Sequence, residues 1–238
     1  MVNSCTSYIQ FLCFPPKCLV CGAPGEQHTD LCQGCIDDLP RNYGACPVCS
    51  APLPEGVAPG TPCGSCQQDP PPFDSAIAPY LFTGPVSRLV GRFKFNSQLQ
   101  YGALLSRLLQ QEIEARQPEM PELLVPVPLH SSRLRERGFN QALELARPLA
   151  KAFGTGLDHT CIQRIKATPH QIGLQRRARM ENVKGAFELR GEIHADHVAL
   201  VDDVITTGST LREIAGLLKA AGVSRVDIWS VARTPAHN

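Results

Sequence analysis

The chain has 238 residues, more than one typical domain, which leaves room for one large domain or a medium domain carrying a small module. Apolar residues make up 43% and charged residues 19%, which excludes wholesale disorder, and a formal charge of +1 excludes a uniformly basic nucleic-acid coat. No apolar run approaches the ~18 residues of a membrane span, and the first residues, MVNSCTSYIQFLCFPP, lack a basic start and a small-residue cleavage site, so a non-inserted cytoplasmic protein is expected.

Cysteine dominates the beginning. Of 11 cysteines, eight form four CxxC pairs: Cys18/Cys21, Cys32/Cys35, Cys46/Cys49 and Cys63/Cys66. One such knuckle offers two thiolates to a metal, and two knuckles complete a tetrahedral zinc site with no open position, so the role expected here is structural. Pairing in chain order gives one site from Cys18, Cys21, Cys32 and Cys35, and another from Cys46, Cys49, Cys63 and Cys66. A crossed pairing is also geometrically allowed, although adjacent pairing closes shorter loops. Disulfides would call for an oxidising compartment, and redox CxxC motifs are not repeated four times. Up to residue 66 there are two basic residues (Lys17, Arg41) against five acidic ones (Glu26, Asp30, Asp37, Asp38, Glu55), and each four-thiolate zinc site adds negative charge. Such a module repels a phosphate backbone, and docking onto the rest of the chain or onto a protein partner is expected instead. Cys5, Cys13 and Cys161 fall outside the pattern and read as core or surface thiols.

Composition changes at Asp69-Pro70-Pro71-Pro72, a stiff stretch that reads as a boundary between residues 1–72 and 73–238. Beyond it, apolar runs at Ile77 to Phe82, Leu123 to Val127, Val198 to Val201 and Val226 to Val231 predict strands. One helix is expected from about Phe139, with Ala142, Leu143 and Ala146 on one face and Pro148 kinking or shortening it. Another follows Gly208, where Leu211, Ile214, Ala215, Leu218 and Ala221 share a face and Gly222 is a C-terminal stop. Strands alternating with helices predict an α/β fold with a mainly parallel sheet flanked by helices.

The segment Val198 to Thr210, VALVDDVITTGST, is the richest in chemistry. An apolar strand ends in Asp202 and Asp203, and a turn of Thr206, Thr207, Gly208, Ser209 and Thr210 then opens a helix. The helix start supplies backbone N–H groups and the positive end of a dipole; Gly208 lets the backbone approach an anion, and the hydroxyls add donors. These features suit one phosphate. Two carboxylates beside a phosphate would be repelled unless they hold vicinal sugar hydroxyls or Mg²⁺, so a phosphorylated sugar satisfies both halves.

This segment resembles the phosphoribosyl-pyrophosphate (PRPP) signature of type I phosphoribosyltransferases. With the four CxxC pairs, LLVPVPLHSSRLRERGFNQALELA and TPHQIGLQRRARMENVKGAF, the whole chain resembles the ComF competence family, which includes proteins called GntX: a double zinc ribbon ahead of a type I phosphoribosyltransferase-like domain. The resemblance implies that Asp202 and Asp203 hold ribose hydroxyls and that Thr206 through Thr210 bind the 5′-phosphate. It implies that residues 125–130 and the following Ser131 to Arg137 form the pyrophosphate loop, with Arg133, Arg135 and Arg137 facing pyrophosphate. It also implies that Arg164 to Asn182 is a closing loop with Arg164, Lys166, Gln171, Arg176, Arg177 and Arg179 as polar members.

Charge supports such a lid: residues 164–190 hold seven basic residues against two acidic ones. A basic lid would neutralise a departing pyrophosphate. Two readings follow. One is a Mg²⁺-dependent transfer of ribose 5-phosphate from PRPP to a nitrogen acceptor, with Arg133, Arg137, Arg164 and Lys166 as catalytic groups. The other is a non-catalytic module that senses PRPP or grips single-stranded DNA and works with DNA-uptake proteins.

Overall fold

The computed structural model describes residues 16–26, 29–95, 98–166 and 183–235. At its centre is a six-stranded, wholly parallel sheet of β1 (Ser75–Ile77), β2 (Tyr80–Leu81), β3 (Leu123–Pro126), β4 (Gly156–Leu157), β7 (His197–Ile205) and β8 (Arg225–Arg233). The order is β1-β8-β7-β3-β4, and β2 also pairs with β8. A separate antiparallel pair joins β5 (Ile162–Arg164) to β6 (Phe187–Leu189). The helices are α1 (Gln33–Asp37), α2 (Gly64–Gln68), α3 (Gly84–Phe95), α4 (Leu99–Arg116), α5 (Ser131–Arg137), α6 (Gln141–Phe153) and α7 (Ser209–Ala220).

Parallel strands are buried on both faces, as the apolar runs in β7 and β8 require. Ala199 and Val201 of β7 pack on one side with Val86, Leu89, Val90 and Phe93 of α3, the leucines of α4, and Leu145 and Leu149 of α6. Val198 and Leu200 pack on the other side with Leu211, Ile214, Ala215 and Leu218 of α7 and with Phe187 of β6. Between α3 and α4 the fit is close: a Cβ on Gly102 would lie 2.5 Å from the Phe93 ring.

The expected run Ile77 to Phe82 is divided into two short strands. Pro79 has no N–H to give a ladder, and the groups around it bond elsewhere. Ala78 N–H donates to Ser50 Oγ at 3.1 Å, and Asn42 N–H donates to the Pro79 carbonyl at 2.8 Å. Two other expectations also need amendment. Pro148 does not end its helix, which continues to Phe153 with the proline on the exposed side. β7 runs past the two acids to Ile205, because β8 is equally long and pairs with it as far as Arg233.

The cysteine-rich segment belongs to the same packed body. Cys18, Leu31 and Leu39 lie in the first core cluster, and Val48 and Cys49 pack against the second. At the sheet edge, Leu81 N–H donates to the Pro40 carbonyl at 2.8 Å and Ala76 N–H to the Pro47 carbonyl at 3.2 Å. Asn42 Nδ2 reaches the carbonyls of Ser50 at 2.9 Å and Ala78 at 3.0 Å. Arg41 pairs with Glu112 and lies over the Tyr80 ring, 4.9 Å from its centroid. Among the described residues, no helix is long and apolar enough to cross a membrane.

Candidate functional site

The eight cysteines resolve into two sites. Cys18, Cys21, Cys32 and Cys35 converge in one cluster, and Cys46, Cys49, Cys63 and Cys66 in the other, with the sulfurs of each set within 4.8 Å of one another. The crossed arrangement is thereby excluded. Cys21 Sγ lies 3.6 Å from Cys32 Sγ, and Cys49 Sγ lies 3.6 Å from Cys63 Sγ. A tetrahedral zinc–thiolate site requires sulfurs about 3.8 Å apart, so both sets fit Zn²⁺. Burial resists ionisation of Cys18, yet backbone hydrogen bonds from Cys21, Cys32 and Val20 bring its thiol down to about 6. Burial and neighbouring sulfurs push Cys35 and Cys66 upward, a conflict that a divalent cation relieves. Cys161, outside both sites, is a core thiol raised to about 12 by burial; Cys5 and Cys13 lie outside the described residues.

The second site forms where β7 leaves the sheet. Gly208, at φ +76°, takes the left-handed conformation that turns the chain into α7, and Arg212 N–H bonds back to its carbonyl at 2.9 Å. Thr207 Oγ1 and Ser209 Oγ lie 2.8 Å apart. Thr206 is exposed, and Thr207, Ser209 and Thr210 are half-buried. Backbone N–H groups at the start of a helix, ringed by hydroxyls, can hold an anion. From β8, Arg233 Nη1 donates to the Ile205 carbonyl at 2.9 Å and also to that of Thr206, bracing the turn from behind.

One strand register earlier stand the two acids. Alternation along β7 puts Asp203 on the face of Ala199 and Val201, and Asp202 on the face of Val198 and Leu200. Asp203 is 6% exposed, and its Oδ2 meets Lys94 Nζ of α3 at 2.8 Å. Asp202, half-buried, accepts the Asp203 N–H at 2.9 Å. Burial and the adjacent Asp203 charge push the Asp202 carboxyl up to about 7, against the pull of Lys94 and Arg164.

The basic side of the site comes from two elements. Val127 N–H donates to the Val201 carbonyl at 2.9 Å and Asn140 Nδ2 to the Val127 carbonyl at 3.1 Å, so the chain after β3 turns away beside β7. His130 Nδ1 then accepts the Ser132 N–H at 3.2 Å and caps α5. On α5, Arg133 and Arg137 are half-buried, Arg135 is exposed, and Arg137 donates to Gln141 at 2.8 Å. Arg164, at the end of β5, lies 5.4 Å from the Phe187 ring centroid. Burial and Arg133 lower its pKa while Asp202 raises it, which places all three charges in one field.

Lys166 is exposed and donates to the Lys184 carbonyl at 3.2 Å, and no contact among the described residues joins it to the acids. Gln171, Arg176, Arg177 and Arg179 lie outside the described residues. Sequence reasoning missed Lys94 and Arg233. The signal for Lys94 was available: it stands four residues after Val90 on the buried stripe of α3, where an unpaired lysine is not tolerated.

Fold and site together define a phosphoribosyltransferase-type α/β domain carrying two four-cysteine zinc sites. Residues 9–67 match the family model "Double zinc ribbon domain" and residues 140–237 match "Phosphoribosyl transferase domain". The chain is 39% identical over 228 residues to DNA utilization protein YhgH of Salmonella typhimurium, covering 94% of this chain and 99% of that protein. It is 35% identical over 227 residues to Competence protein F of Haemophilus influenzae, covering 91% and 96%. A more distant similarity, 27% over 159 residues, links 66% of this chain to 28% of the amidophosphoribosyltransferase of Saccharomyces cerevisiae. The chain therefore belongs to the ComF/YhgH family of competence and DNA utilization proteins.

Proposed function

We propose that the carboxyl end of the sheet binds PRPP and that the protein transfers ribose 5-phosphate from it to a nitrogen acceptor, in support of DNA uptake. In this reading residues 1–72 are the ribbon module and residues 73–238 the catalytic domain. The observation that carries it is the β7–α7 junction: a helix start ringed by hydroxyls, just after two adjacent acids that Lys94 and Arg164 approach. The turn from Thr206 to Thr210 takes the 5′-phosphate, Asp202 and Asp203 accept the ribose hydroxyls, and Arg133 and Arg137 face the pyrophosphate.

The chemistry asks for no nucleophilic side chain. The bond between C1 and the pyrophosphate oxygen breaks with its electron pair leaving on pyrophosphate, and the acceptor nitrogen forms the new bond. Arg133 and Arg164 offset the charge that gathers on the leaving group, while the acids hold the ring still as positive charge develops on it. Mg²⁺ bound with PRPP would supply further neutralisation of the pyrophosphate. Thermal denaturation with PRPP and Mg²⁺ tests binding: the reading expects a rise of several degrees that is absent in Asp202→Ala/Asp203→Ala, and no rise at millimolar ligand refutes it. Release of pyrophosphate with a panel of bases and amines then tests transfer.

A second reading, single-stranded DNA binding by the same basic face, is favoured by the names of the relatives, "DNA utilization protein" and "Competence protein". It expects binding that weakens steeply with salt and is lost when Arg133 and Arg164 are replaced together.

A further inference from the structure

We propose that Lys94 is a positioning residue for the sugar diol, fixing the orientation of Asp203 on its face of β7; this rests on the reading that this end of the sheet binds a phosphoribosyl group.

The argument begins on α3. Val86, Leu89, Val90 and Phe93 form its buried stripe, each no more than 1% exposed. Lys94 follows Val90 by four residues, so its Cα–Cβ bond leaves the helix on the same face, toward the sheet. An ammonium directed there is stable only with a partner, and Asp203 provides one at 2.8 Å. The pair is enclosed, with side-chain exposure of 24% for Lys94 and 9% for Asp203. A lysine at the last turn of α3 also complements the negative end of that helix.

Next to this pair stands a second carboxylate. Asp202 lies on the opposite face of β7, where Lys94 and, more weakly, Arg164 of β5 act on its charge, and Arg164 in turn feels Arg133 of α5. Lys94 thus makes its direct contact with Asp203 while its charge also reaches Asp202, which Arg164 approaches from the other side. Without Lys94, the nearest charge to the buried Asp203 would be another carboxylate. Its oxygens would lose their fixed orientation, and a hydroxyl acceptor would be lost with them. With Lys94 present, Oδ2 is committed to Nζ, while Oδ1 carries no hydrogen bond among the described residues and can accept a sugar hydroxyl.

This assignment makes a selective demand. Inorganic phosphate needs only the Thr206–Thr210 turn, whereas ribose 5-phosphate needs the turn and the acids together. Titration calorimetry on the full-length, zinc-loaded protein with each probe separates the two. Lys94→Met is expected to weaken ribose 5-phosphate by roughly tenfold to a hundredfold and to leave inorganic phosphate unchanged. Lys94→Arg is expected to restore affinity for ribose 5-phosphate to within about threefold, since it renews the charge-assisted contact. Unchanged phosphate affinity also shows that the variant is folded. Equal weakening of both probes would make Lys94 a general structural residue and overturn the proposal, as would undiminished binding of ribose 5-phosphate by Lys94→Met. A wild-type protein that binds ribose 5-phosphate no more tightly than phosphate would remove the phosphoribosyl reading itself, and this inference with it.

Discussion

The two ends of the sheet each bury an aspartate, and they treat it in opposite ways. At the amino end, Asp227 of β8 is 1% exposed and surrounded by donors: His197 Nε2 at 2.9 Å, Arg225 Nη2 at 3.0 Å and Ser75 Oγ at 2.9 Å. Every lone pair has work to do within the protein, and the cluster ties β1, β7 and β8 together where they begin. At the carboxyl end, among the described residues, Asp203 has Lys94 as its side-chain partner, and Asp202 accepts a backbone N–H and feels the charges of Lys94 and Arg164. A saturated acid stabilises a fold; an acid with acceptor capacity left over waits for a ligand. Burial alone therefore does not mark the site. The incomplete partnership does.

Removing metal gives the largest expected effect and asks whether the two ends belong to one folded body. Elemental analysis is expected to find two zinc ions per chain, and chelation to lower the melting temperature by more than about 10 °C. A sheet that kept its melting temperature after chelation would separate the ribbons from both ends. Next in size is Asp227→Ala, expected to cost about 3 kcal/mol in denaturant unfolding while leaving ribose 5-phosphate affinity intact. Smaller again, and opposite in kind, Asp202→Asn is expected to leave stability unchanged or slightly raised while removing the PRPP-induced thermal shift. If both substitutions cost the same stability, the distinction between the two ends fails.

The smallest effect is a slope with pH. Folding raises the Asp202 carboxyl from an ordinary 3.8 to about 7, so the folded chain holds this proton more tightly than the unfolded chain. The stability contributed is complete below about pH 4 and is lost progressively as pH rises toward 7. Urea unfolding of wild type against Asp202→Asn across that window is expected to show the slope in the wild type only.

How legible all this was depended on distance along the chain. The Cys knuckles and the strand–turn–helix around Gly208 are contiguous patterns, and their residues come together as the spacing implied. The two parts of the chain differ in composition, yet nothing local in the ribbon foretold that Leu31 and Leu39 would share a core with α3 and α4. The division of the Ile77 to Phe82 run escaped for the same reason, since Ser50 and Asn42, far upstream, take the backbone groups beside Pro79. Lys94 was visible as a charge in a buried stripe, but only the folded chain identifies its partner, because Asp203 belongs to a distant strand.

The backbone bonds that Pro40, Asn42 and Pro47 make with β1, β2 and Pro79 between them carry a consequence for handling and for life in a crowded cell. Those bonds cap the open margin of the sheet, a row of peptide groups that would otherwise template the addition of foreign strands. Because Pro40 and Asn42 lie between the two cysteine clusters and Pro47 within the second, loss of metal is expected to loosen this cap and leave the margin open to pairing with other copies of the chain.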